Sequence, residues 1–289
     1  MPESPTPTEP TDAPAEPADT LADTPAEPAA APAVRTHVVG RVLVVTIDRP
    51  AVRNAVDRPT ADALLAAFLA FDDDPALDVA ILTGAGGTFC AGADLKGVAD
   101  GRGNRVIADP EMPGPMGPTR LHLAKPVIAA IEGHAVAGGL ELAVWCDLRV
   151  AATDAVLGVY CRRWGVPLID GGTIRLPRLI GQSHAMDLIL TGRGVSGDEA
   201  LRMGLVNRLA EPGAALDDAI ELATTLTHFP QTCLRNDRRS AIEQWSMPLD
   251  AALHHETVIG LRTIASGETQ AGAARFRDGK GRGGSFVDL

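Results

Sequence analysis

Apolar residues recur along this chain at two spacings, and the switching between them outlines a layered α/β protein. Residues 38–47 form a β-branched run broken at Gly40-Arg41, which predicts a hairpin or bulged strand ended by Arg49-Pro50. Across 57–71, Ala61, Leu64, Leu65, Phe68 and Leu69 return at helical intervals, with Pro59 tolerated in the first turn. Short apolar runs at 79–83 and 127–131 predict two more strands. Strands separated by helices argue for βα layers joined by right-handed crossovers. After Thr173 the pattern turns helical, at 174–180, 184–191, 197–204 and 214–228, then across 233–265 with interruptions.

Two stretches lack either period. Residues 1–33 alternate Pro, Ala, Thr and acidic side chains with almost nothing large and apolar, so they cannot offset the entropy of folding and read as a disordered, self-repelling tail. The second is 97–118, dense in Gly and Pro and containing Pro-Glu-Met-Pro-Gly-Pro-Met-Gly-Pro at 110–118. Each proline removes a donor and restricts its predecessor, so this is a loop, either covering a ligand site or making a surface excursion.

The tail changes the reading of charge. The net charge is −11, but residues 1–33 hold Glu3, Glu9, Asp12, Glu16, Asp19, Asp23 and Glu27 and no Lys or Arg, leaving the body near −4. That balance gives no basic surface for nucleic acid or anionic membrane. No run approaches the roughly 20 apolar residues of a membrane span, and no secretory or organelle-targeting pattern opens the chain. Cys90, Cys146, Cys161 and Cys233 are too scattered for a disulfide framework or metal knuckle, and the histidines form no metal-binding spacing. The cytoplasm is the default location, with no metal expected.

Candidate chemistry lies in two small-residue segments: Thr-Phe-Cys-Ala-Gly-Ala-Asp-Leu at 88–95 and Gly-His-Ala-Val-Ala-Gly-Gly-Leu-Glu-Leu at 133–142. Each follows a strand-like run and can bare backbone N–H groups that larger side chains would cover. Two such donors converging on one carbonyl oxygen would form an oxyanion hole, so the pattern points to acyl chemistry. Either cluster alone could be a tight turn or a close helix–strand contact.

These segments, with Arg-Pro-Ala-Val-Arg-Asn-Ala at 49–55, Lys-Pro-Val-Ile-Ala-Ala-Ile-Glu at 125–132 and Asp-Gly-Gly-Thr-Ile-Arg-Leu at 170–176, resemble the enoyl-CoA hydratase/isomerase, or crotonase, family over most of 35–289. The resemblance implies an α/β crotonase-like (ClpP/crotonase) fold of repeated ββα units with a helical C-terminal extension. It implies a core over 34–229, a C-terminal coenzyme A and oligomer-contact segment over 230–289, and a short strand at 205–207. The implied enzyme acts on enoyl-CoA thioesters through an oxyanion-stabilised enolate. It would be a hydratase first, or an enoyl- or dienoyl-CoA isomerase; the non-enzymatic alternative is an acyl-CoA-binding protein that lost turnover. No tightly bound cofactor is implied, coenzyme A being part of the substrate, and the expected assembly is a homotrimer or hexamer.

By the same resemblance, the backbone N–H groups of Ala93 and Gly138 are the oxyanion donors. Glu141, three residues further on, matches one of the two glutamates of the family's hydratases, and Cys161 stands where the second would be. A thiol is not an equivalent water-activating base, so Cys161 is expected to line the acyl pocket beside Trp164, itself expected to pack. Asp170 is the compensating candidate, either catalytic or capping the helix that follows. Arg162 or Arg163 could pair with Asp170 or Glu141, approach a polar acyl group, or face another subunit. Coenzyme A contacts are expected from Arg53, Asn54, Ala91, Asp94, Leu95, Lys96, Phe276 and Lys280, although Asp94 suits a loop cap as well as a ligand contact.

Overall fold

The computed structural model describes residues 32–284 and 286; the predicted tail, apart from its last two residues, lies outside them. The 38–47 run becomes a hairpin, β1 (Val34–Val39) and β2 (Val42–Ile47), paired antiparallel with Val39 opposite Val42 so that Gly40-Arg41 make the turn. Helix α1 (Arg58–Asp73) follows, its first turn capped by the Asp57 carboxylate accepting from Thr60 N–H at 3.0 Å. Next come β3 (Val79–Gly84), α2 (Leu95–Ala99), β4 (Val127–Ile131), β5 (His134–Val136) and α3 (Gly138–Trp145). Then follow β6 (Leu148–Ala152), β7 (Val156–Gly158), α4 (Gly172–Thr191), β8 (Gly194–Ser196), α5 (Gly197–Arg202), β9 (Arg208–Ala210) and α6 (Ala215–Thr227). Helices α7 (Gln231–Glu243), α8 (Leu249–Ala265) and α9 (Glu268–Arg277) form the C-terminal extension.

Six strands make one sheet in the order β1-β2-β3-β4-β6-β9, parallel from β2 onward, and β5-β7-β8 make a small second sheet. Both faces of the large sheet are covered, which is why β3 and β4 read as continuous apolar runs. Val79 and Ile81 of β3 pack with Ala219, Leu222 and Ala223 of α6 on one face. Ala80 and Leu82 join Leu64 and Phe68 of α1 and Leu140 of α3 in the larger core on the other. This is the crotonase-like α/β architecture with its C-terminal helices.

Two expectations need correction. Residues 205–207 are not a strand: Leu205 and Val206 are buried in the core, Asn207 accepts the Arg149 N–H at 2.9 Å, and pairing begins at Arg208. The 97–118 loop begins inside α2, because Asp94 caps the N–H groups of Lys96 and Gly97 and allows one further helical turn. The extension returns to the core through arginines of α7, where Arg235 meets buried Asp78 at 2.7 Å and Arg238 meets Asp147 at 2.8 Å.

Candidate active site

Strand β3 ends beside β4, and their following segments stay in register. Phe89 N–H donates to Glu132 O at 2.8 Å, Cys90 N–H to His134 O at 2.8 Å, and Val136 N–H to Cys90 O at 3.1 Å. The first small-residue segment is thereby laid along the second. Gly92, at φ +98°, lies so close to it that a Cβ there would come within 2.9 Å of both Ala137 Cβ and Gly138 N. The chain then turns through Ala137, a non-glycine at φ +55°, into α3. A left-handed alanine is strained, and such strain persists only where surrounding contacts over-determine it.

Among the described residues, neither Ala93 N–H nor Gly138 N–H meets a hydrogen-bond acceptor. Ala93 is flanked by partners on both sides, since Gly92 O accepts from Val56 and Asp94 N–H donates to Val56 O, leaving its own N–H spare. Gly138 is the first residue of α3, where N–H groups have no intrahelical partner. Two spare donors from adjoining segments, one at a helix N-terminus, suit an anionic oxygen.

Glu141 follows in the first turn of α3 and is 3 % exposed. Its Oε1 accepts from Asp170 N–H at 2.9 Å and Gly172 N–H at 2.8 Å, while Oε2 receives no hydrogen bond among the described residues. Burial, reinforced by the nearby Asp170 charge, pushes the carboxyl up to about 7, against the two backbone donors and the charge of Arg175. A carboxyl with that value and one free oxygen suits proton transfer near neutral pH.

Asp170, equally buried at 3 %, also accepts through one oxygen, but from the loop instead of a helix start. Its Oδ1 accepts from Met116 N–H at 2.9 Å and from the Thr119 hydroxyl, while its backbone carbonyl accepts from Arg175 Nη1 at 2.8 Å. Burial pushes its carboxyl above the ordinary aspartate range, and the Thr119 and Met116 donors oppose that rise. The α4 cap residue is Gly171, in a left-handed conformation and with no side-chain cap, so the Asp170 carboxylate does not cap α4 but ties the end of the 97–118 loop to it. Arg175 completes the tie by donating from Nη2 to Thr119 O at 2.7 Å.

Cys161 is buried in a 3₁₀ turn (Tyr160–Trp164), and burial together with the Glu141 charge raises its thiol above the ordinary value. Trp164 departs from expectation: it is 71 % exposed, at the last position of that turn before left-handed Gly165. Neither arginine pairs with the carboxylates. Arg162 Nε donates to Ile189 O at 2.9 Å and Arg163 stacks on the Tyr160 ring at 4.0 Å, while Arg175 takes the place beside Glu141 and Asp170. Arg175, Thr119 and Met116 are the residues sequence reasoning passed over. Arg175 lies within the 170–176 motif, whereas nothing in the sequence couples 116–119 to residues more than fifty positions away.

Of the expected coenzyme A contacts, Asn54 is turned inward. It is fully buried, with Oδ1 accepting from Arg49 N–H at 2.9 Å and Nδ2 donating to Ala85 O at 2.8 Å, so its side chain braces the chain instead of facing a ligand. Asp94 caps α2 and meets Arg49 at 3.3 Å. Arg53, Leu95 and Lys96 are exposed around half-buried Ala91, whose N–H donates to Arg53 O at 3.0 Å. Phe276 on α9 and Lys280 beyond it are exposed as well. A groove of about 1270 Å³ along Trp145, Arg175, Arg178 and Arg239 borders Asp170 without reaching Ala93, Gly138 or Glu141; its size alone does not mark the donor pair. Among the described residues no cluster of His, Cys, Asp and Glu is arranged to hold a metal ion, and no helix is long and apolar enough to cross a membrane.

Comparison with known proteins identifies the family and the fold. The enoyl-CoA hydratase/isomerase family pattern matches residues 38–281. Enoyl-CoA hydratase EchA19 of Mycobacterium tuberculosis is 36 % identical over 246 residues, covering 83 % of this chain and 91 % of that protein. A carnitinyl-CoA dehydratase of Salmonella arizonae is 44 % identical over 189 residues, 65 % of this chain and 71 % of its own. The crystal structure of enoyl-CoA hydratase EchA1 from Mycobacterium marinum superposes with a TM-score of 0.80 at 40 % identity, covering 86 % of this chain and 96 % of that one.

Proposed function

The chain belongs to the enoyl-CoA hydratase/isomerase family and carries its acyl-CoA thioester chemistry; on that premise we propose that it adds water reversibly across an enoyl-CoA double bond with Glu141 as its one acid–base group. The observation that carries this reading is the contrast within the Glu141 carboxylate, one oxygen fixed by two backbone donors and the other free. The thioester oxygen would accept from Ala93 and Gly138 N–H. Glu141 takes a proton from water as the water oxygen bonds to the β-carbon, and the double-bond electrons move toward the thioester oxygen. The same carboxyl then returns the proton to the α-carbon, so one water is gained and Glu141 ends ionised. Asp170, with Oδ1 engaged by Met116 and Thr119, acts as an anchor.

One observation favours a second reading. With Cys161 buried and its thiol shifted upward, the site lacks a second carboxylate there, and Glu141 alone could move a proton from the γ- to the α-carbon, shifting the double bond. Turnover of enoyl-CoA substrates in H₂¹⁸O separates the two: label in the product establishes hydration, a shifted double bond without label establishes isomerisation, and binding with neither removes both. For coenzyme A, the exposed cations of Arg53 and Lys96 suit its phosphates, and Phe276 and Lys280 suit its adenine end when supplied by an adjacent subunit of a trimer or hexamer.

A further inference from the structure

The Gly/Pro-dense stretch, which the sequence allows either to cover a ligand site or to make a surface excursion, ends in a tight turn whose Met116 lies against Gly138. Gly117 N–H donates to Gly114 O at 2.9 Å, closing a turn of Gly114, Pro115, Met116 and Gly117. That turn is clamped from two sides. At Gly117, φ +93°, a Cβ would come within 2.4 Å of Ala61 O in α1, and at Gly114 a Cβ would come within 2.8 Å of Asp170 Oδ1. Met116 N–H is meanwhile held by Asp170 at 2.9 Å. The Met116 backbone is therefore fixed, and only its side chain remains adjustable.

That side chain is 1 % exposed and lies on Gly138. Its Sδ, Cε and Cγ are 2.8, 3.1 and 3.2 Å from where a Gly138 Cβ would be. A thioester oxygen accepting from Gly138 N–H puts the first acyl carbons within about 4 Å of that residue at ordinary hydrogen-bond length. The thioether thus packs on the same residue against which those carbons would lie. Resting on the thioester reading above, we propose that Met116 sets acyl specificity, admitting enoyl thioesters unbranched at the α-carbon and excluding α-branched ones. Methionine suits the task because its unbranched, polarisable side chain repacks around a slim chain and still closes the space to an added methyl.

The test compares kcat/KM for an unbranched enoyl-CoA and its α-methyl analogue in wild type, Met116→Ala and Met116→Val, with calorimetric Kd values for the corresponding saturated acyl-CoAs. Wild type should prefer the unbranched substrate. The Ala variant should move the preference toward the branched one by about tenfold or more, the worth of a methyl group in a fitted pocket, and Val should move it part way. Met116→Leu, near in volume, should keep the wild-type ratio. An unchanged ratio in a folded Ala or Val variant overturns the proposal, as does wild type accepting both substrates equally. If wild type turns over neither thioester the hydration reading fails, and the saturated-ligand Kd ratios then support or overturn the Met116 assignment independently.

Discussion

The N-terminal ends of α3 and α4 each present a carboxylate buried to the same degree, yet their chemistry differs. Glu141 accepts from two backbone N–H groups and is raised to about 7, whereas Asp170 accepts from the Met116 N–H and the Thr119 hydroxyl; in both, the second oxygen has no donor among the described residues. Burial alone therefore does not identify the reacting group. What separates the two is where they stand and what they hold: Glu141 lies in the first turn of α3, three residues after Gly138, whereas Asp170 ties the 116–119 segment to the start of α4.

Replacing Glu141 tests this contrast most severely. E141Q keeps an oxygen for the Asp170 and Gly172 N–H groups, so acyl-CoA binding measured by calorimetry should persist while turnover falls by roughly 10²–10⁴-fold. A comparable loss in D170N would break the distinction. The same variant should be more stable than wild type in alkaline solution. Glu141 is raised from 4.5 to about 7 in the fold, so folding favours its protonated form and wild-type stability falls as pH rises through that window. The advantage of E141Q should be absent below about pH 4.5 and on the order of 3 kcal/mol above about pH 8, read from chemical unfolding at both.

Thr119→Val probes the anchor. Losing the hydroxyl leaves Asp170 short of a buried donor, at a cost of about 1–3 kcal/mol in unfolding free energy, with turnover falling less than about tenfold. The smallest expected effect is a shift. Wild-type hydration should rise with pH through about 7 as Glu141 ionises. In D170N the rise should move to lower pH, because the Asp170 charge that holds Glu141 up is gone. An unmoved inflection would mean that the two carboxylates are not electrostatically coupled.

Much of the fold follows from local pattern. The hairpin, α1, β3 and β4 appear where the apolar pattern puts them, because elements with covered faces leave a repeated signal. The three-residue strands β5, β7 and β8 are too short to show a period, and the strand that the resemblance implied at 205–207 begins instead at Arg208, with Leu205 and Val206 serving the core. Within the site, the two glycine segments and Glu141 were legible because close backbone approach demands small residues at fixed spacing. The arginine beside the carboxylates was not legible, since Arg162, Arg163 and Arg175 are chemically alike in sequence and only the fold turns Arg175 toward Glu141 and Asp170.

The sequence by itself determined the layered α/β class, the paired N–H-baring segments, the glutamate behind the second of them and the departure at Cys161. The first two are local properties, written in residue size and period; the glutamate and the departure at Cys161 were read through the family resemblance. Only the tertiary structure decided that Asp170 holds a loop, that Asn54 braces the chain inward and that Met116 closes over Gly138. Each depends on contacts between residues far apart in the chain, where packing selects which donor meets which acceptor, and short-range pattern carries no record of that selection.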